Sequence, residues 1–261
     1  MLRSLYTAAT GMEAQQLQMD VIANNLANTG TVGFKKVRAE FEDLLSETLR
    51  GAQAPDPRGG ANPTPLQCGL GVKTGATTRS YSQGDLTNTG GPLDLAIQGG
   101  GFFRVQRING DYGYTRAGNL RADSTGRLVT VNGEALDPEI TLPADTTQVT
   151  INADGTVLAT AGSNTTPQTV GQISLYTFPN SGGLEAVGGN LLVATAASGE
   201  ATASKPGEGG TGALSQGFLE GSNVQAVEEM VNMISTQRAY ELNTNVIKTA
   251  DQMLQKVTSL R

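Results

Sequence analysis

Apolar residues near the amino terminus, Leu2, Leu5, Ala9, Met12, Met19, Ala23 and Leu26, recur at alternating spacings of three and four, with Gln16 as the polar exception. That period places successive side chains on one helical seam, so it predicts a single long helix. Ala8, Ala9, Ala14 and Ala23 add helix propensity and admit a close neighbour, and Gly30 and Gly33 are the expected stop. A second long helix is predicted at the other end. Ser222 stands three residues before Gln225 in a capping-box spacing, and Glu228 and Glu229 lie near the favourable end of the dipole. Val224, Val227, Val231 and Ile234 form its first stripe. Tyr240, Ile247 and Leu254, with Ala250 and Val257, continue on a shifted face, as at a stutter.

Between the helices the pattern shortens to alternating runs broken by Gly, Asn and Asp, which predicts strands and tight turns. Asn109-Gly110, Asn132-Gly133 and Asp154-Gly155 suit hairpin turns, because Gly accepts the positive φ such turns need. Phe102 to Val105, Leu128 to Val131, Val149 to Ile151 and Gln172 to Phe178 are the candidate strands. Two stretches read as irregular: Gly51 to Pro65, with Pro55, Pro57, Pro63 and Pro65, and the Gly-, Ser- and Thr-rich Ala197 to Gly212. The expected fold class is α+β, with long terminal helices forming a coiled-coil-like core domain around a β-rich middle domain. Its parts are 1–45 (first helix and start of a connector), 46–72 (an irregular connecting arm), 73–215 (the β-rich domain) and 216–261 (second helix). The alternative is that each helix packs on the β domain as an ordinary amphipathic helix.

Composition narrows the chemistry. The 261 residues hold no histidine and one cysteine, Cys68, so an internal disulfide and the common zinc spacings are excluded, as is the usual base of serine and cysteine hydrolases. The net charge of -6 opposes a nucleic-acid partner, and the one tight basic cluster, Lys35, Lys36 and Arg38, reads as a solvated face near a helix end. No apolar run approaches the ~18 residues of a transmembrane helix, so the chain is expected to be soluble. Its first residues lack a cleavable secretory signal.

Motifs for small-molecule chemistry fail on context. Gly207-Glu-Gly-Gly-Thr-Gly212 satisfies G-x-G-x-x-G but follows Lys205-Pro206 rather than an apolar strand, so a flexible loop is expected. Gly99-Gly100-Gly101 before Phe102-Phe103 reads as a bend or close backbone approach. The adjacent carboxylates Glu42 and Asp43, or Glu228 and Glu229, do not resemble an acid–base pair. No catalytic, cofactor or metal residues are assigned. The rival class is a β-scaffold extracellular glycan-active enzyme, which would need two carboxylates facing each other across a groove.

Ala23-Asn-Asn-Leu-Ala-Asn28 followed by Thr31-Val-Gly-Phe-Lys35 resembles the amino-terminal signature of the bacterial flagellar rod and hook family. Asp94 to Phe103 and Tyr114-Thr-Arg-Ala-Gly118 resemble its middle signatures, and Gln237-Arg-Ala-Tyr-Glu241 with Asn243 its carboxy-terminal one. Leu120 and Asn245 depart from it, standing where an aromatic and a lysine are common. The length is similar to rod subunits and short for a hook subunit. Leu66-Gln-Cys-Gly-Leu-Gly-Val72, Asp251-Gln-Met-Leu-Gln255 and the opening Leu2-Arg-Ser-Leu resemble subunits of the distal rod, with a proximal rod subunit as the alternative.

The resemblance implies a structural, non-enzymatic subunit without cofactor, exported by the flagellar type III apparatus and stacked across the periplasm. Its partners would be copies of itself, proximal rod subunits, the hook protein and the surrounding bushing rings. The expected assembly interface comprises Leu5, Met12, Met19, Asn24, Asn25, Leu26 and Asn28, with Val227, Val231, Ile234, Tyr240, Ile247 and Leu254. An inter-subunit arm would use Pro55, Pro57, Pro63, Pro65, Leu66 and Leu70.

Overall fold

The computed structural model describes residues 2–52, 64–162 and 166–259. Pro55, Pro57 and Pro63 lie outside the described residues. Two long helices occupy the ends of the sequence, α1 (Leu2–Ala27) and α2 (Ala226–Ser259), and the segment between them is built of short strands. The turns at 28–33 close α1, with Gly33 at φ +70. The second helix starts one residue beyond the expected capping box: the Ser222 hydroxyl accepts from the Val224 backbone N–H, two residues on, so it closes a local turn instead of capping the helix. Among the described residues no helix is long and apolar enough to cross a membrane.

The chain forms two compact units. The first gathers Met1–Leu26, Val37–Thr78 and Ala226–Arg261. In it α1 and α2 run antiparallel: Asn25 Nδ2 donates to Glu229 Oε2 at 3.3 Å, and Thr244 Oγ1 donates to Met12 Sδ at 3.6 Å. Two ribbons complete it, one pairing Val37–Asp43 with Val72–Arg79, the other pairing Glu47–Arg50 antiparallel with Leu66–Cys68. The expected irregular arm is therefore paired strand at both described flanks. The Gly71 α-carbon lies against α1, where an added Cβ would meet Thr10 Oγ1 at 2.3 Å, and Leu44 N–H donates to Gly71 O at 2.9 Å. Strand 72–79 and the helix it lies on thus belong to one unit, not to separate domains.

The second unit comprises Ala27–Lys36 and Arg79–Gln225. Its main sheet has seven strands, in the order Glu185–Gly188, Leu191–Val193, Tyr112–Thr115, Phe103–Gln106, Ala135–Asp137, Leu128–Val129 and Arg121–Ala122. A three-stranded sheet joins Thr146–Ile151, Thr156–Ala161 and Gln168–Gln172. All three expected hairpins form, with φ of +86, +85 and +85 at Gly110, Gly133 and Gly155. Successive strand residues point to opposite faces. Phe103 accordingly enters the aliphatic core with Leu95, Ile97, Val105 and Leu136, while Phe102 joins an aromatic cluster with Tyr114, Tyr176 and Phe178. The Gly207–Gly212 loop closes on itself, Gly207 N–H donating to Gly212 O, and leads into strand Ala213–Gln216 rather than a helix.

Candidate assembly surfaces

The signature motifs converge inside the second unit on an ionic knot. Lys35 and Glu220 are almost fully enclosed, 3% and 0% exposed, with Lys35 Nζ 2.6 Å from Glu220 Oε1; Arg116 Nε reaches Glu220 Oε2 at 2.9 Å. Arg116 Nη1 also donates to the carbonyls of Gly99 and Gly101, at 2.8 and 2.7 Å, and Lys35 Nζ to Ser82 O at 2.7 Å. Gly84 N–H completes the shell of the carboxylate at 3.0 Å. Such a buried charge cluster is tolerable because every ion is paired and hydrogen-bonded. Burial pushes the Glu220 carboxyl up, but Arg116 and Lys35 outweigh it and hold it below the ordinary carboxylate range. For Lys35 burial is the stronger influence and lowers its pKa, although Glu220 opposes the change.

This overturns the reading of Lys35 as part of a solvated basic face. The sequence offered no hint that Glu220 would partner it; only the fold brings a residue 185 positions away. The motif glycines have a packing reason: a Cβ at Gly118 would stand 1.8 Å from Leu95 O, and one at Gly33, 2.7 Å from Ala117 N. Further bonds tie the arriving and departing chain together, Gly33 N–H to Glu220 O at 2.8 Å and Lys36 N–H to Asn223 Oδ1 at 2.6 Å.

The expected interface residues divide. Asn25 is buried, and its amide is used within the chain: Nδ2 donates to Val37 O at 2.8 Å and Oδ1 accepts from Val37 N–H at 2.9 Å, besides the bond to Glu229. It is an internal brace rather than a surface group. Asn24 is exposed, and half-buried Asn28 accepts from the Thr31 hydroxyl at 3.1 Å. The seam expected on α1 is displaced by one position. Ala8, Ala14, Ile22 and Asn25 are the buried residues, Leu5, Met12, Met19 and Leu26 are half-buried, and Ala9, Gln16 and Ala23 are exposed.

On α2, Ile247 and Leu254 are half-buried beside buried Ala250, with Tyr240 at the border. Val227, Val231 and Ile234 face outward, 77%, 60% and 52% exposed, and Met230, Leu242, Val246 and Met253 extend the apolar surface along the helix. In the arm, Pro65 and Leu66 are exposed and Leu70 is half-buried. Phe41, Leu45 and Leu49 add exposed apolar side chains that the periodicity did not single out.

Paired terminal helices, an outward apolar stripe and a knotted β-rich middle are features of a subunit that presents apolar surface to other chains. Residues 5–35 match the family described as flagella basal body rod protein, 96–159 the flagellar hook protein FlgE/F/G D1 domain, and 215–260 the flagellar basal body rod FlgEFG protein C-terminal family. The chain belongs to the flagellar basal-body rod protein family. It is 50% identical over 261 residues to the flagellar basal-body rod protein FlgG of Caulobacter vibrioides, and 43% identical over 267 residues to that of Bacillus subtilis, covering 100% of both chains in each case. The flagellar hook protein FlgE of Helicobacter pylori is 46% identical over 134 residues, 51% of this chain and 19% of that protein. These relatives are structural proteins of the flagellum, not enzymes.

Proposed function

We propose that this chain is a subunit of the distal rod of the bacterial flagellum, polymerising helically into a rigid shaft that transmits torque from motor to hook. The outward apolar stripe of α2 carries the reading, since water exclusion stabilises its burial by ~25 cal/mol per Å². Full-length similarity to proteins named FlgG supports it. A contact between unlike patches, repeated without closing, builds a helical filament from identical copies. In that filament α1 and α2 supercoil into the inner wall, with Leu5, Met12, Met19, Leu26, Val227, Val231 and Ile234 meeting neighbouring copies. The arm around Pro65, Leu66 and Leu70 bridges subunits.

Proximal rod subunits and the hook protein cap the two ends, the bushing rings surround the shaft, and the type III apparatus delivers the chain to the periplasm. The test is a chain ending after Gln225, which retains Val224, buried in the second unit. Unit two keeps its β signal in circular dichroism and sedimentation shows no polymer. Normal filaments from the truncated chain would refute assembly through α2.

A further inference from the structure

Positions a heptad apart on α1, Ser4, Gly11, Gln18 and Asn25, match positions a heptad apart on α2 running the other way, Ala250, Asn243, Thr236 and Glu229. Asn25 donates to Glu229 at 3.3 Å, a Cβ at Gly11 would stand 3.0 Å from Asn243 Nδ2, and Ser4 and Ala250 line one groove. Gln18 and Thr236 fall midway, one heptad from the rung on either side. The buried Thr236 hydroxyl donates to its own helix at Asn232 O, 2.8 Å, and the enclosed Gln18 Oε1 accepts no hydrogen bond among the described residues.

Every rung of this ladder is small or polar; Ile247 and Leu254 are half-buried beside it, whereas Val227, Val231, Ile234 and Leu242 stay more than half exposed. Burial energy alone would turn Val227, Val231, Ile234 and Leu242 toward α1, because that removes the larger apolar area from water. Such a rotation would carry Glu229 away from Asn25 and break a buried hydrogen bond to a charged group, whose loss is costlier than that of a neutral pair. Polar groups in a helix seam are known to fix register and orientation at a cost in stability.

We propose that the ladder is a face selector: it sets which side of α2 turns toward α1 and so keeps the apolar side free for a second copy of this chain. The selection operates within one chain; only the second copy rests on the proposed function. Met12 and Thr244, in contact in the structure, report the native face, and exposed Leu242 reports the alternative.

In full-length monomer carrying Cys68→Ser, disulfide formation is compared between Met12→Cys/Thr244→Cys and Met12→Cys/Leu242→Cys. With the ladder intact the first pair oxidises at least about tenfold faster, as one buried charged hydrogen bond would dictate. With Asn25→Ala, Glu229→Ala, Gln18→Ala and Thr236→Ala combined, which removes the polar rungs without adding bulky apolar area to that face, the advantage falls below about threefold while the helical circular dichroism persists. Gln18→Ala/Thr236→Ala alone, which leaves the Asn25 brace in place, gives an intermediate ratio. An unchanged ratio in both variants overturns the proposal. So does loss of helix with neither pair oxidising in the milder variant, which would show that the rungs hold the helices together without choosing a face. Because the readout is monomeric, it fails separately from the assembly reading, which sedimentation of the same variants addresses.

Discussion

Lys35 Nζ lies 2.6 Å from an oxygen of Glu220, and the other oxygen of the same carboxylate is held by Arg116 at 2.9 Å. Removing one partner strands a buried charge, so Lys35→Met or Glu220→Gln is expected to destabilise the second unit by about 3–5 kcal/mol. Urea unfolding followed by tyrosine fluorescence measures it. The carboxyl titrates below its usual value of 4.5 in the folded protein, so its contribution is complete above that pH and is lost as pH falls through the lower native pKa. Glu220→Gln should flatten that part of the acid unfolding curve.

Gly118→Ala drives a methyl group into the Leu95 carbonyl, whose own N–H donates to Gly118 O at 2.9 Å. Neither backbone can yield without distorting strand Leu95–Gln98. A loss of about 1–3 kcal/mol or more in the same assay is expected. Gly110→Ala, with nothing within 4 Å of its Cβ, serves as a comparison for positive φ alone.

Ala14→Pro removes a backbone hydrogen bond in the middle of α1 and costs about 3 kcal/mol or more of helix stability. Ala14 is also buried, so the ring has no room. Cells whose rods contain only this variant should not swim, and soft-agar spreading reports it.

Val231→Asp places a charge in the outward stripe without touching the ladder face. The monomer should keep its helical signal, while the concentration needed for polymerisation rises by about tenfold or more as apolar contact is replaced by a desolvated charge. Light scattering against concentration measures the change.

Removing residues 53–63 leaves strands Glu47–Arg50 and Leu66–Cys68 able to pair, and the Arg3–Glu47 bridge still fastens the ribbon to α1. Polymerisation should survive, with shafts that curve. Electron micrographs of isolated basal bodies decide it, straight shafts showing that the terminal helices alone confer stiffness.

Much of the architecture was readable where a local rule decides the outcome. The two helices follow from periodicity, and the three hairpins from Asn-Gly and Asp-Gly pairs. What escaped detection depends on partners far away in sequence. Nothing near Lys35 in sequence announces Glu220, and the apolar spacing points to a seam one position off the inward face of α1, which carries Asn25, Gln18 and Gly11. The heptad rhythm of those three was present in the chain, but polar residues are not counted by a hydrophobic pattern. Leu66–Cys68 pairs with Glu47–Arg50 across a proline-rich stretch whose composition gives no sign of a strand partner.

The outward stripe of α2 also makes the free subunit only conditionally soluble. Its net charge of -6 at neutral pH supplies mutual repulsion that competes with apolar sticking. Acidification toward the isoelectric region near 4.8 removes that brake, and added salt screens it, so either should hasten self-association. Warming from the cold strengthens apolar attraction in the same direction. A stock of this protein should therefore keep best dilute, cool and mildly alkaline, conditions that hold copies apart by charge while leaving each stripe uncovered.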